Sequence, residues 1–381
     1  EISLGLVGSE MCIRDSYNHM KDYWNTRLEK VIDIQSVPEK YTELINAYKA
    51  GYIYMLIISD GYELHVGENG YDRVFDHDVI GMLASLIESG HTEHFADYAQ
   101  YILMNIQYPD AAWKFSWPFA LYLQKTGDFD TVLSFFEDNG GHAGIKTNTH
   151  KIASEREVYN ENILDEDGNP ARIMKRTDAI DSYGYWVIDN WASLFGLTTY
   201  SYICDQFYAK TGDESYKAEY DWAKAEYDSL RKSVEAVLAD TMEKYDFDYI
   251  PISMVVPNEL SARSDVRDGN WAAHYLFGRW DWDGYLFGAD QDSWLLDMTD
   301  QTYDFITEQK STVFDSPYNM GGYPHGYFSS AYNAGYFSGA LSGEKWRDGG
   351  IEAYLWMINN SMGGLYGWWE GCLLYTSPSP R

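Results

Sequence analysis

The tetrapeptide Lys-Thr-Gly-Asp occurs twice, at 125–128 and 210–213, each time between two stretches of helical periodicity. Glycine can take the left-handed backbone that stops a helix, and the aspartate behind it can cap the next N-terminus. The motif therefore dictates helix, tight joint, helix. In both copies an aromatic-rich helix precedes the joint (Phe119-Ala-Leu-Tyr-Leu-Gln124 and Cys204-Asp-Gln-Phe-Tyr-Ala209) and a more charged one follows. Ser89-Gly90-His91-Thr92-Glu93 and Leu341-Ser342-Gly343-Glu344-Lys345 make two further joints of the same kind.

Apolar periodicity predicts helices over 41–58, 76–90, 93–107, 114–126, 129–139, 185–211, 214–245, 270–280, 293–310, 329–344 and 346–362, and strand alternation is hard to find. The hairpins recur at irregular spacing, unlike tetratricopeptide or HEAT arrays. They predict an all-α fold, a closed (α/α)6 toroid with an inner ring of apolar helices and an outer amphipathic ring. Eleven helices leave the last of six hairpins incomplete at the C-terminal end. Loops at 140–184, 246–269, 281–292 and 311–328 are rich in carboxylates and rings, and are expected to build one face of the toroid.

The two ends carry a different signal. The run Cys372–Arg381 can be encoded so that its complementary strand, in a shifted frame, translates as Val7-Gly8-Ser9-Glu10-Met11-Cys12-Ile13-Arg14-Asp15. Residues 1–16 and 372–381 are therefore expected to be translated sequencing adapter, leaving 17–371 as a single catalytic domain cut at both ends. Without Glu1, Glu10, Asp15, Arg14 and Arg381, the 28 basic and 59 acidic residues become 26 and 56. That acidity argues against nucleic acid or an anionic membrane as partner. No apolar run approaches the length of a membrane span. A leader would lie upstream of Tyr17, so a cytoplasmic and a secreted location both stay open. Cys204, the cysteine left inside the domain, sits in an apolar helical stretch and reads as a core thiol rather than a nucleophile. With 34 Tyr and 14 Trp the chain is far too ring-rich for a disordered acidic polymer, and a large aromatic core or a ring-lined cleft is expected.

Three segments resemble the six-hairpin glycosidases, which include glucoamylases and the α-glucosidases and trehalases related to family 63. Phe75-Asp76-His77-Asp78, followed by Leu83 to His91, is similar to an early aromatic-Asp helix entry whose acid grips a sugar hydroxyl. Tyr327-Phe-Ser-Ser-Ala-Tyr332-Asn333-Ala-Gly-Tyr336 resembles a late inner helix that lines the pocket. Gly367-Trp368-Trp369-Glu370 falls after the eleventh helix, where the resemblance implies the catalytic base. The likeness is loose over 40–371, and the signatures of the trehalases and of family 63 are absent as such.

The resemblance implies an inverting, exo-acting glycoside hydrolase. Its chemistry needs one protonated carboxyl for the leaving oxygen and one ionised carboxyl for water, about 6.5–9.5 Å apart. Glu370, between two Trp, is the candidate base. Asp181, ending the loop that joins the fifth and sixth helices, and Glu259 in Pro257-Asn258-Glu259-Leu260 are the rival acids. Each alone also reads as a helix cap or solvated loop residue. Asp178 ends the same loop as Asp181. Glu155 and Glu157, beside Lys151 and Arg156, read as charged surface.

Candidate substrate contacts are Asp76 and Asp78, then Trp186, Asp189 and Trp191, whose bland reading is core packing. Trp280, Asp281, Trp282 and Asp283 alternate flat apolar faces with carboxylates, and Tyr323, His325, Tyr332, Trp368 and Trp369 complete the set. The expected partner is an oligo- or polysaccharide. No cofactor is expected. Asp281, Asp283, Asp290 and Asp292 could hold calcium but lack the EF-hand order, and the nine His show no zinc spacing. Two other classes compete. A polysaccharide lyase or a phosphorylase on the same toroid could recruit His150, Tyr183, Arg263 and His325, although the surplus of acids would repel a polyuronate. A non-catalytic sugar-binding protein would keep the rings and lack two facing carboxyls.

Overall fold

The computed structural model describes residues 2–31, 37–68, 71–179, 183–251, 253–255, 347–360 and 365–367, with 294, 295, 297, 298, 301, 302, 304 and 345. Helix α1, Ile2–Leu28, runs without a break across the expected boundary at 16 and 17, and Ile13, Tyr17 and Met20 on it are exposed. After a 3-10 turn come α2 (Thr42–Ile57), α3 (Asp76–Glu88), α4 (Phe95–Asn105), α5 (Pro109–Trp113), α6 (Ser116–Thr126) and α7 (Phe129–Ser134). Then follow α8 (Ile145–Ser154), the strands β1 (Arg156–Val158) and β2 (Arg172–Met174), α9 (Val187–Thr211), α10 (Glu214–Tyr245) and α11 (Arg347–Asn360). The described residues are thus mainly helical. The predicted helices 270–280 and 329–344 lie outside them, and the described residues of 293–310 are helical.

Both Lys-Thr-Gly-Asp joints fold by the same local chemistry. Gly127 (φ 66°) and Gly212 (φ 69°) are left-handed, and their N–H groups donate to Leu123 O and Tyr208 O, each at 2.8 Å. The threonine hydroxyls return to the helix at Tyr122 O and Phe207 O, each at 2.7 Å. Asp128 Oδ1 then caps α7 by accepting from Thr131 N at 3.1 Å, and Asp213 Oδ1 caps α10 by accepting from Ser215 N at 2.9 Å. The glycine stop and the threonine return are identical in the two joints, while Asp128 caps the residue three on and Asp213 the residue two on.

Helix α9 is the axis of the described core. Almost every residue from Val187 to Ser201 is buried, and some of its hydroxyls bond back to the helix: Ser193 and Thr198 donate to Asp189 O and Leu194 O at 2.9 Å. Helix α10 lies along it and buries one face, through Ala223, Tyr227, Leu230, Val234, Val237, Leu238 and Thr241, at the spacing expected of an amphipathic helix. Helix α6, also buried on all sides over Pro118–Leu123, packs between α3 and α9. Cys204 is a buried free thiol whose pKa burial raises, the core role expected of it.

The stretch 140–184 departs from the predicted loop. It contains α8 and an antiparallel ribbon in which Arg156 pairs with Met174 and Val158 with Arg172. Three-residue strands are too short to show alternation. Arg156, expected at the surface, is 8% exposed. Its guanidinium donates to Glu226 Oε1 at 2.6 Å, Ser229 O at 3.1 Å and Ser233 Oγ at 3.2 Å, tying the ribbon to α10. Glu155 is likewise engaged, accepting from the buried Trp113 Nε1 at 2.8 Å. Helix α8 is fastened to the same partner by Glu219 of α10, which takes His150 Nε2 at 2.7 Å, Tyr200 OH at 2.9 Å and Lys146 Nζ at 3.1 Å.

Candidate active site

The starts of α3, α5 and α9 bring a buried cluster of charged side chains together. It begins with Asp76, in the first turn of α3, whose Oδ2 accepts from Gln107 N at 2.6 Å and Tyr108 N at 2.9 Å. These bonds fold the chain after α4 back over the start of α3. Burial raises the Asp76 pKa while the two backbone N–H groups work against it. Asp76 is 3% exposed and its carboxylate braces this connection.

His77 follows, its ring stacked on Tyr108 with centroids 4.1 Å apart. Nδ1 lies 3.3 Å from Asp110 Oδ1, and Nε2 lies 3.5 Å from Asp78 Oδ2. Burial lowers the imidazole pKa, but the two carboxylates outweigh it and raise it to about 9. His77 is therefore a cation at neutral pH. Asp110 sits in α5, which Pro109 opens at a position where no N–H is needed. Its other oxygen, Oδ2, takes Lys114 Nζ at 3.0 Å, with the two side chains 7% and 8% exposed. Burial alone would raise Asp110, yet Lys114 and His77 hold it well below the usual carboxylate range. Asp110 is ionised.

Asp189, in the first turn of α9, is shifted the opposite way. It is fully buried; Oδ2 accepts from Thr177 Oγ1 at 2.6 Å, and Oδ1 has no hydrogen-bond partner among the described residues. Burial and the charge on Asp110 push its pKa well above the ordinary value, against Thr177, Lys114 and His77. A carboxyl raised in the fold adds stability only below its ordinary pKa, and that contribution is lost as pH rises through the folded value. The raised Asp189 carboxyl therefore costs stability as pH rises above its ordinary value of 3.8.

The local backbone explains how Thr177 reaches Asp189. Thr177 and Gly184 exchange both backbone hydrogen bonds, at 3.0 and 2.8 Å, and Trp186 Nε1 donates to Thr177 O at 3.1 Å. Position 184 needs glycine because a Cβ would lie 2.8 Å from the Trp186 ring. Asn190 fastens the neighbouring ribbon, accepting from Met174 N at 3.0 Å and donating to Trp186 O at 2.9 Å.

No family model, no curated protein and no solved structure matches the chain. The site therefore rests on its own residues. Of the candidates named from sequence, Asp76, Asp78 and Asp189 converge on this cluster. Trp186 and Trp191 are each 1% exposed and offer no open ring face. Asp181, Glu259, Glu370, Trp280, Asp281, Trp282, Asp283, Tyr323, His325, Tyr332, Trp368 and Trp369 lie outside the described residues, as do Asp290 and Asp292. Among the described residues no group of three acids, histidines or cysteines is placed to hold a metal, and no helix is long and apolar enough to cross a membrane.

Sequence reasoning passed over Asp110, Lys114 and Thr177, and quoted His77 without giving it a role. A signal for the pair existed. Asp110-Ala-Ala-Trp-Lys114 sets opposite charges four residues apart around an apolar run, the pattern of an ion pair carried inward with its helix.

Proposed function

We propose that this chain is a glycoside hydrolase acting through two carboxyl groups, by inversion and from a chain end, on an (α/α)6 toroid. The observation that supports the proposal is the buried cluster at the starts of α3, α5 and α9, in which Asp110 pairs with both His77 and Lys114. The cluster opens to solvent through His77 and Asp78, whose side chains are 19% and 51% exposed. In this reading those two take substrate hydroxyls, Asp110 and Lys114 hold the imidazolium in place, and Asp189 fixes Thr177. Asp181 or Glu259 supplies the leaving-group proton, and Glu370 activates water. The order of packing supports the toroid: α3, α6 and α9 neighbour one another in series, and α4, α7 and α10 return along them.

A second reading is favoured by the complete pairing of Asp110: the cluster as a brace between helix starts. Turnover separates the two. The full chain incubated with a panel of neutral oligo- and polysaccharides is expected to release monosaccharide. Glu370→Gln should lower that release by about a hundredfold or more with the fold intact, and Asp78→Asn should lower it with the fold retained. Retained turnover in Glu370→Gln would remove it as the base. No release from any glycan would leave the brace.

A further inference from the structure

We propose that Tyr159, Tyr183, Tyr185 and Arg176 form an outer surface on which a neutral saccharide stacks, a subsite of the reading just given. The geometry starts from the Thr177–Gly184 pair. Thr177 points inward to Asp189, while the preceding residue, Arg176, is exposed on the opposite side. Its guanidinium lies 4.5 Å from the Tyr183 ring centroid and 5.9 Å from that of Tyr185. Tyr185 meets Tyr159 edge-on at 5.4 Å. The step from Arg176 to Thr177 thus links the ring surface to the buried carboxyl.

Part of this surface is fixed and part is open. Tyr185 is hydrogen-bonded through its hydroxyl to Glu157, its carbonyl accepts from Met254 N at 2.9 Å, and Glu157 Oε1 accepts from Arg176 N at 3.4 Å. Tyr159 and Tyr183 are 39% and 63% exposed. Part-exposed rings beside a guanidinium and a carboxylate match a pyranose, which offers a C–H face to an aromatic plane and hydroxyls at its edge. The net charge of −31 disfavours a polyanion. Three part-exposed rings offer on the order of 300 Å², too little for a specific protein interface of about 1,000 Å².

The test is affinity electrophoresis of the full chain through gels holding starch, mixed-linkage β-glucan or galactomannan, with turnover of the same polysaccharides measured in parallel. At least one should retard the wild type. Tyr159→Ala combined with Tyr183→Ala is expected to weaken that association about tenfold, and Tyr183→Phe to keep it, since the ring and not the hydroxyl stacks. Circular dichroism checks that the double variant is folded. Unchanged retardation of the double variant overturns the stacking surface and leaves the hydrolase reading standing wherever turnover is seen. No retardation and no turnover overturns both. A concentration-dependent self-association abolished by the double variant, without loss of glycan binding, would reassign the surface to a protein contact.

Discussion

Asp110→Ala is expected to destabilise the protein by about 3–5 kcal/mol, the cost of leaving a buried partner charge uncompensated. Lys114 is 8% exposed and its ammonium lies 3.0 Å from Asp110 Oδ2, so the pair is broken out of reach of bulk water. His77 loses one of its two carboxylates at the same time, and its pKa should fall from about 9. The size of the effect comes from burial and not from the attraction itself. Adding Lys114→Met, which removes the other member of the pair, should therefore recover part of the loss. Urea unfolding of the two variants measures this. A double variant no more stable than Asp110→Ala would place the cost in packing around α5 and not in the ion pair.

Gly196→Ala is the second large effect, expected at about 3 kcal/mol, the upper end for forcing atoms into a packed core. A Cβ at position 196 would overlap the carbonyl oxygen of Trp113 and lie 2.8 Å from its carbonyl carbon. Alanine is the better helix former by about 1 kcal/mol, so an exposed site would gain stability from the change. Here the obstacle is backbone. Helices α5 and α9 would have to part, and Ser116, which donates to Gly196 O at 2.9 Å and shares a 2.7 Å hydrogen bond with Thr199, would lose its seat. Thermal unfolding reads the loss. A melting temperature equal to the wild type would mean that the α5–α9 contact is looser than its geometry.

The helical part of this fold was legible in the chain because its signals are local. The Lys-Thr-Gly-Asp joints, the apolar face of α10 and the apolar periodicity of α9 each depend on neighbours in sequence. The predicted span 214–245 coincides with α10 for that reason. Helix α8 and the ribbon were hidden. Strands of three residues carry no period, and Arg156 is drawn inward by Glu226 and Ser233, 70 and 77 residues away. The site was half legible. Asp76, Asp78 and Asp189 stand at helix starts beside rings, which marks them in sequence. The state of Asp189 depends on Asp110, 79 positions earlier and on another helix, and a charge met across the core leaves no local pattern.

The account of the cluster turns on the Asp189 carboxyl being harder to ionise than usual beside an Asp110 that is easier to ionise. The most direct measurement is the stability of the wild type and of Asp189→Asn across pH, by urea unfolding from about pH 3 to 8. Asparagine stays neutral at every pH, so the difference between the two curves isolates this one carboxyl. The account predicts that the wild type loses ground steadily to Asp189→Asn as pH rises above the ordinary carboxyl value of 3.8. Parallel curves, or a wild type that gains on the variant with rising pH, would mean that Asp189 ionises freely in the fold and would contradict it.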